Sequence, residues 1–319
     1  MKTPSPEPLI RMIQQESAKG GPAGLDTLVK AILGRYGETT RAILFYGSCM
    51  RSGQDTEGII DLYVLVDTYL SAHGNAVLAL LNRLLPPNVF YMEVPHAGGV
   101  LRAKYAVLTL ADFQSGTSTA WFHSYLWARF AQPVRLLYAS SEKTAQQIHA
   151  ALARAVVTFL SRTLPRLPPR FSARELWYKG LLLSYRSELR AETKDRPILL
   201  VEGDLAYYDG ISRSAMAAVP FEVEEVHGTD PVGYRSNISG SKRFLNHLAW
   251  ETRRVQGKCL SILRLVKGLF TFKGGPAYIL WKIERHSGVG IPDDSVLRKH
   301  PLIGVLVIFW RLYRRGGSR

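Results

Sequence analysis

The stretch FYGSCMRSGQDTEGIIDLYVLVD, Phe45 to Asp67, decides how this chain reads. An apolar run, AILFYGS (Ala42–Ser48), ends in the small pair Gly47-Ser48, and a second run, IIDLYVLV (Ile59–Val66), carries Asp61. Both runs have the length, branching and apolarity of buried strands. Twelve residues separate Ser48 from Asp61. A glycine at a strand end lets anionic oxygens approach its backbone amide. Ser48 adds a hydroxyl donor, and a helix N-terminus after it favours phosphate. Asp61 is a hard oxygen ligand of the kind Mg2+ takes. A second acid two residues on would share its face of the strand, but that position is Tyr63. Asp67 shares the face only if the strand runs that far. Glu93, in NVFYMEV (Asn88–Val94), is the better candidate for a second metal ligand, because a lone acid in an apolar strand is costly to bury unpartnered.

Working outward, residues from about Pro8 to Tyr36 read as helices broken at Gly20–Pro22, and Leu78 to Leu85 as a helix stopped by Pro86-Pro87. NVFYMEV, AKYAVLTL (Ala103–Leu110) and PVRLLYA (Pro133–Ala139) read as three further strands. Ser118 to Phe130 has a helical, aromatic pattern. Helices are expected from Glu142 to about Leu160, from Ala173 to Glu192 and from Ser241 to Lys267. The proline-rich TLPRLPPRF (Thr163–Phe171) reads as a linker or corner. Strands interleaved with helices predict an α/β (α+β) fold. The expected division is a domain with a mixed sheet over 1–140, a helical domain over 141–240, and a basic, amphipathic C-terminal segment over 241–319.

The 319 residues carry 41 Lys and Arg against 26 Asp and Glu, a net charge of +15 that predicts an anionic partner. From Ser241 to Arg319 there are 16 basic and 4 acidic residues, so the excess is concentrated in the last quarter. Two distant cysteines, Cys49 and Cys259, make neither a disulfide framework nor a zinc cluster. The N-terminus lacks a signal-peptide core, and no apolar run approaches the ~20 residues that span a bilayer. These features predict a soluble or peripheral protein. In RKHPLIGVLVIFWRLYRR (Arg298–Arg315) an apolar centre lies between basic ends and includes Phe309, Trp310 and Tyr313. That composition suits a membrane interface. It serves a lipid better than a nucleic acid, which needs aromatics spread along a polar groove, so no nucleic-acid partner is expected.

The strand, Gly47-Ser48 turn and strand Asp61 together resemble the polymerase-β-like nucleotidyltransferase superfamily. Over Phe45 to Arg190 the chain is similar to the mitochondrial-type phosphatidate cytidylyltransferases, the translocator assembly and maintenance family. Six short matches occur in order: YGS (Tyr46–Ser48), IIDLYVLV with its single Asp, NVFYMEV, AKYAVLTLADF (Ala103–Phe113), WFHSYLWARFAQPVRLL (Trp121–Leu137) and LLSYRSELRAE (Leu182–Glu192). NVFYMEV lacks the glycines the family carries there. The resemblance implies a nucleotidyltransferase domain, then a helical, winged-helix-like domain, with CTP between them and a C-terminal segment on an anionic membrane surface. It implies that CTP and phosphatidate give CDP-diacylglycerol and pyrophosphate for phospholipid synthesis. The lipid phosphate would attack the α-phosphorus in line, with Mg2+ as cofactor. Asp61, Lys104 and Arg129 are then the catalytic residues, Asp61 and Glu93 the metal ligands, and Tyr46, Gly47, Ser48, Tyr185 and Arg190 the nucleotide-binding set. The implied location is the cytoplasmic face of a bacterial inner membrane, or the matrix side of the mitochondrial one. Two other readings share the Gly-Ser…Asp pattern: a nucleotidyltransferase of RNA or a small molecule, and an inactive scaffold of the same fold.

Overall fold

A computed structural model describes residues 6–47, 49–50, 59–97, 99–189, 196–226 and 233–271. Ser48, Arg190 and the expected membrane-docking stretch Arg298–Arg315 lie outside these. In chain order the elements are α1 (Glu7–Ser17), α2 (Leu25–Tyr36), β1 (Thr40–Tyr46), β2 (Ile59–Val66), α3 (Tyr69–His73), α4 (Ala76–Leu84), β3 (Asn88–His96), β4 (Gly99–Thr109), α5 (Leu110–Gly116), α6 (Trp127–Phe130) and β5 (Arg135–Ala139). There follow α7 (Glu142–Thr163), β6 (Arg170–Ser172), α8 (Ala173–Arg186), α9 (Arg196–Glu202), α10 (Leu205–Ala215), β7 (Val223–Val226), β8 (Gly233–Ser236) and α11 (Gly240–Thr271).

The first five strands form one mixed sheet in the order β3-β4-β2-β1-β5, in which only β2 and β4 run parallel. β2 is central and both its faces are covered, which is why it reads as a continuous apolar run. Ile43, Phe45, Leu62, Val64, Tyr105 and Val107 turn to one face and pack with Leu25, Leu28 and Ile32 of α2. Ala42, Leu44, Tyr63, Leu65, Ala106 and Leu108 turn to the other and join a larger core with α1, α7, α8 and α10. This α/β architecture is the class read from the sequence.

That larger core runs without interruption from Leu9 and Tyr63 through Trp127 and Phe159 to Trp177 and Tyr208. α7 packs on β1 and β5 as well as on α8, so the helix placed at the head of a second domain also forms a wall of the first. Gly180 on α8 makes that contact close: a Cβ there would lie 2.3 Å from the Phe159 ring.

Two expectations are corrected. Ser118 to Phe130 is helical only over α6, because Thr117 and Ser118 turn their hydroxyls back onto the carbonyls of Phe113, Gln114 and Ser115 and close α5. The proline-rich corner and the region after it are not purely helical. β6 emerges from that corner and pairs with β8, which pairs with β7, in a small antiparallel sheet. α8 starts where Ser172 and Glu175 form a reciprocal capping box, and it ends at Arg186, well short of the expected Glu192.

α11 straps across both layers. The Trp250 indole N–H donates to the Arg162 carbonyl at 2.9 Å, and Arg253 Nε donates to the Phe122 carbonyl at 2.7 Å. Lys267 Nζ caps the carbonyls of Leu85 and Pro87, the latter at 2.8 Å. Gly257 lets the strap lie close, since a Cβ there would fall 1.9 Å from the Ser187 carbonyl oxygen.

Candidate functional site

Register builds the site. Asp61 on β2 stands opposite Tyr46 on β1 and Lys104 on β4, so three chemically capable residues form one row across the sheet on one face. The row lies at the strand end where β1 turns at Gly47. Lys104 Nζ is 2.8 Å from Asp61 Oδ1, and this ion pair is partly exposed. Asp61 therefore has the partner its burial requires.

The Gly47 turn touches the same carboxylate. Gly47 has φ +98°, in the left-handed region, and a Cβ there would lie 2.8 Å from Asp61 Oδ2. Glycine is needed twice over: for the backbone angle and for the approach. Gly47→Ala is expected to cost about 2 kcal/mol from the backbone angle alone and to displace the Asp61 carboxylate. Thermal unfolding with a nucleotide-binding titration checks this; a variant as stable as the parent and binding equally well means the turn tolerates a side chain.

One row further along the face, where a second carboxylate was expected, Tyr63 is buried and its hydroxyl accepts from Arg129 Nη1 at 3.0 Å. Arg129 Nη2 reaches Glu188 at 3.4 Å, with both side chains largely buried, at 15% and 8% exposure. The guanidinium carbon lies 4.3 Å from the centre of the Tyr125 ring and 5.6 Å from that of Tyr46. Tyr46, Tyr63 and Phe130 form an aromatic wall with centroid separations of 5.2 and 4.9 Å. Burial alone would lower the pKa of Arg129. Tyr125, Tyr63, Tyr46 and Glu188 outweigh it and hold the guanidinium above its ordinary value, so it stays charged. For Tyr125, burial opposes ionisation, but Arg129 and Arg264 beside it draw the phenol below its ordinary pKa. Tyr46 is pushed up, first by burial and then by the Asp61 charge.

The other expected residues fall in different places. Glu93 pairs with Arg102, a row beyond the Tyr91–Lys104 pair and two strands from Asp61. That is roughly 10 Å across the sheet. It accepts from the Tyr91 hydroxyl at 2.6 Å and from Arg102 at 3.3 Å. The structure therefore does not bring Glu93 to Asp61. Asp67 follows the end of β2 and is bound by two guanidinium nitrogens of Arg41, Nε and Nη2, with Nη2–Oδ2 at 2.6 Å. Tyr185 is half-buried in the last turn of α8, three residues before Glu188. Among the described residues no three His, Cys, Asp or Glu side chains cluster as a metal cage.

Sequence reasoning passed over Tyr63, Tyr125, Glu188 and Arg264. Tyr63 read as a missing acid, whereas its hydroxyl oxygen accepts from a buried arginine and helps hold that cation. Glu188 lies in the matched LLSYRSELRAE segment, where Tyr185 and Arg190 drew attention instead. Arg264 is 76 or more residues away in sequence from the rest of the site.

No protein-family model and no curated protein matches the chain. The functional reading therefore rests on the residues themselves.

Proposed function

We propose that this chain is a Mg2+-dependent nucleotidyltransferase that joins CTP to phosphatidate, releasing pyrophosphate. The observation that carries this is the Asp61 carboxylate held between the Gly47 turn and Lys104 in one row of the sheet. One protein carboxylate fits Mg2+, which commonly keeps its waters and takes substrate phosphates rather than an all-protein cage. Asp61 is the residue to hold it, and bound there the metal would neutralise phosphate charge. Glu93, two strands away and bonded to Tyr91 and Arg102, is not needed for that donor set.

Lys104 neutralises Asp61 in this structure, and with Mg2+ held by Asp61 it would be able to meet the phosphates. Arg129, fixed by Tyr63, Tyr125 and Glu188, supplies a preorganised positive charge that needs no rearrangement. A phosphomonoester acceptor is already a nucleophile near neutral pH. The residues then have to position and neutralise rather than abstract a proton.

Among the described residues no helix is long and apolar enough to cross a membrane. For the lipid substrate we favour docking on an anionic membrane surface. α11 supports it: Phe244, Leu248, Val255, Ile262 and Val266 form an exposed apolar stripe opposite the buried Trp250 and Arg253. Exposed Lys242, Arg254 and Lys258 add positive charge to the same helix.

The test is to mix the full chain with phosphatidate in mixed micelles, labelled CTP and Mg2+, and extract the lipid. Labelled CDP-diacylglycerol, lost when EDTA removes the metal, is the expected result. Label transferred to RNA but not to lipid would replace the acceptor, and no binding of any nucleotide would leave a scaffold. In parallel, Leu248→Glu with Ile262→Glu should lower co-sedimentation with anionic vesicles at least about tenfold, since each change puts a charge into the apolar contact. Unchanged sedimentation would clear α11 of that role.

A further inference from the structure

Two donors buried beside Tyr125 have no hydrogen-bond partner among the described residues. His123 is 5% exposed, and its Nδ1 accepts the Tyr125 backbone N–H at 3.2 Å. An imidazole that accepts at Nδ1 while neutral carries its proton on Nε2. Burial first, with Arg264 and Arg253 adding to it, holds the pKa of His123 down to about 4, so this neutral tautomer prevails near neutral pH. The Nε2–H is buried beside Gly257 and has no hydrogen-bond partner among the described residues. Arg264, from α11, spends its Nε on the Pro86 carbonyl at 3.0 Å, while its Nη1 is likewise buried without a partner.

These donors belong to one neighbourhood. The Arg264 guanidinium carbon lies 4.1 Å from the centre of the Tyr125 ring, and the ring of His123 is tilted 30° to that of Tyr125 at 6.1 Å. Arg129 lies against the same Tyr125 ring at 4.3 Å. Two guanidinium groups therefore lie within 4.3 Å of the centre of one phenol ring. The acid that acts on His123 here, Glu188, is already engaged by Arg129. The local balance is positive, and buried polar groups demand partners.

We propose that Arg264 Nη1 and His123 Nε2–H are the donors of a buried oxyanion subsite that takes a phosphomonoester, with Arg129, against the same Tyr125 ring, completing the charge. A tetrahedral dianion offers acceptors to both unpaired donors and two negative charges to two guanidinium groups. The contacts run in the order Asp61, Tyr46, Arg129, Tyr125, Arg264, so Arg129 and Tyr125 separate the subsite from Asp61 in that chain of contacts. Resting on the nucleotidyltransferase reading, we assign it to the acceptor phosphate, with the metal and triphosphate at the Asp61 end. α11 thereby becomes part of the site through its buried face.

The experiment is calorimetric titration of the full chain, without nucleotide, by inorganic phosphate, by dihexanoyl phosphatidate below its micellar concentration, and by dihexanoylglycerol. Both phosphates should bind and the diacylglycerol should not. Arg264→Gln and, separately, His123→Gln should each weaken phosphate binding by about tenfold or more, the loss expected for one charge-assisted hydrogen bond. CTP affinity should be retained in both. Addition of phosphate to the wild type should also shift the His123 Nε2 signal in a 15N NMR spectrum, which a purely structural histidine would not do. Binding of inorganic phosphate as tight as that of the short-chain lipid marks a site for free phosphate; lipid preference marks a headgroup site. Either supports the subsite. If both variants bind phosphate like the wild type, or the His123 signal stays fixed, the donors are satisfied by water and the proposal fails. Should CTP transfer be absent while Arg264-dependent phosphate binding persists, the subsite stands and the reaction assigned above falls.

Discussion

Asp61→Asn is expected to cut nucleotidyl transfer by about a thousandfold or more, the scale seen when a preorganised electrostatic group is removed from a reacting centre, while changing folding stability by less than about 1 kcal/mol. The two halves of this prediction have different causes. Activity falls because an amide binds Mg2+ weakly and brings no charge to oppose the metal's. Stability barely moves because the ion pair lost among the described residues is to Lys104, which is itself more than a third exposed and can turn to water. Asparagine also keeps the shape of the side chain against Gly47, where space is short. Transfer at saturating CTP and Mg2+, alongside urea unfolding, measures both quantities. A variant that keeps more than about a tenth of the wild-type rate would remove Asp61 as the metal ligand. One that unfolds several kcal/mol more easily would mean that Asp61 is first of all a structural residue.

The legible part of this protein is the part encoded by local pattern. β1 and β2 are short apolar runs whose ends are marked by small or acidic residues, and the structure places them within a residue or two of the expected limits. The contact between the Gly47 turn and Asp61 follows from the antiparallel pairing of β1 and β2, which the spacing of the two residues did not state. Periodicity failed where side chains compete with the backbone. Ser118 to Leu126 has helical spacing, but hydroxyl bonds to the preceding turn close α5 and the chain leaves the helix. The small sheet of β6, β7 and β8 was missed for another reason: its strands have three or four residues, too few to establish an alternation.

The site divides along the same line. Glu93 was attractive because it is an acid on a strand of the same sheet, but sequence does not state strand order. With β4 lying between β3 and β2, Glu93 is two strands from Asp61 and meets Arg102 instead. Arg129 was chosen for its matched segment, whereas its environment comes from four separate stretches: Tyr46, Tyr63, Tyr125 and Glu188. No spacing rule links these. Only the packing of α8 and α6 against the sheet does.

Arg129→Met should therefore be the most destabilising single change at this site, by about 3 kcal/mol, the lower range for breaking a buried ion pair from one side. Methionine replaces the stem of the arginine and can pack against Tyr46 and Phe130. It cannot donate to Tyr63, nor can it face Glu188, whose side chain is 8% exposed. A buried carboxylate that loses the Arg129 charge in that setting is what costs most. The double variant Arg129→Met with Glu188→Gln should recover part of the loss, because it removes the buried charge along with its partner. Urea unfolding of the wild type, both single variants and the double completes the cycle. A coupling energy below about 0.5 kcal/mol would mean that Arg129 and Glu188 act independently. The helical layer would then be held to the sheet by apolar packing alone. A coupling of about 1 kcal/mol or more would make this pair the link that joins α8 to the face of the sheet bearing Asp61. The same arginine that neutralises phosphate would then fix the geometry in which it does so.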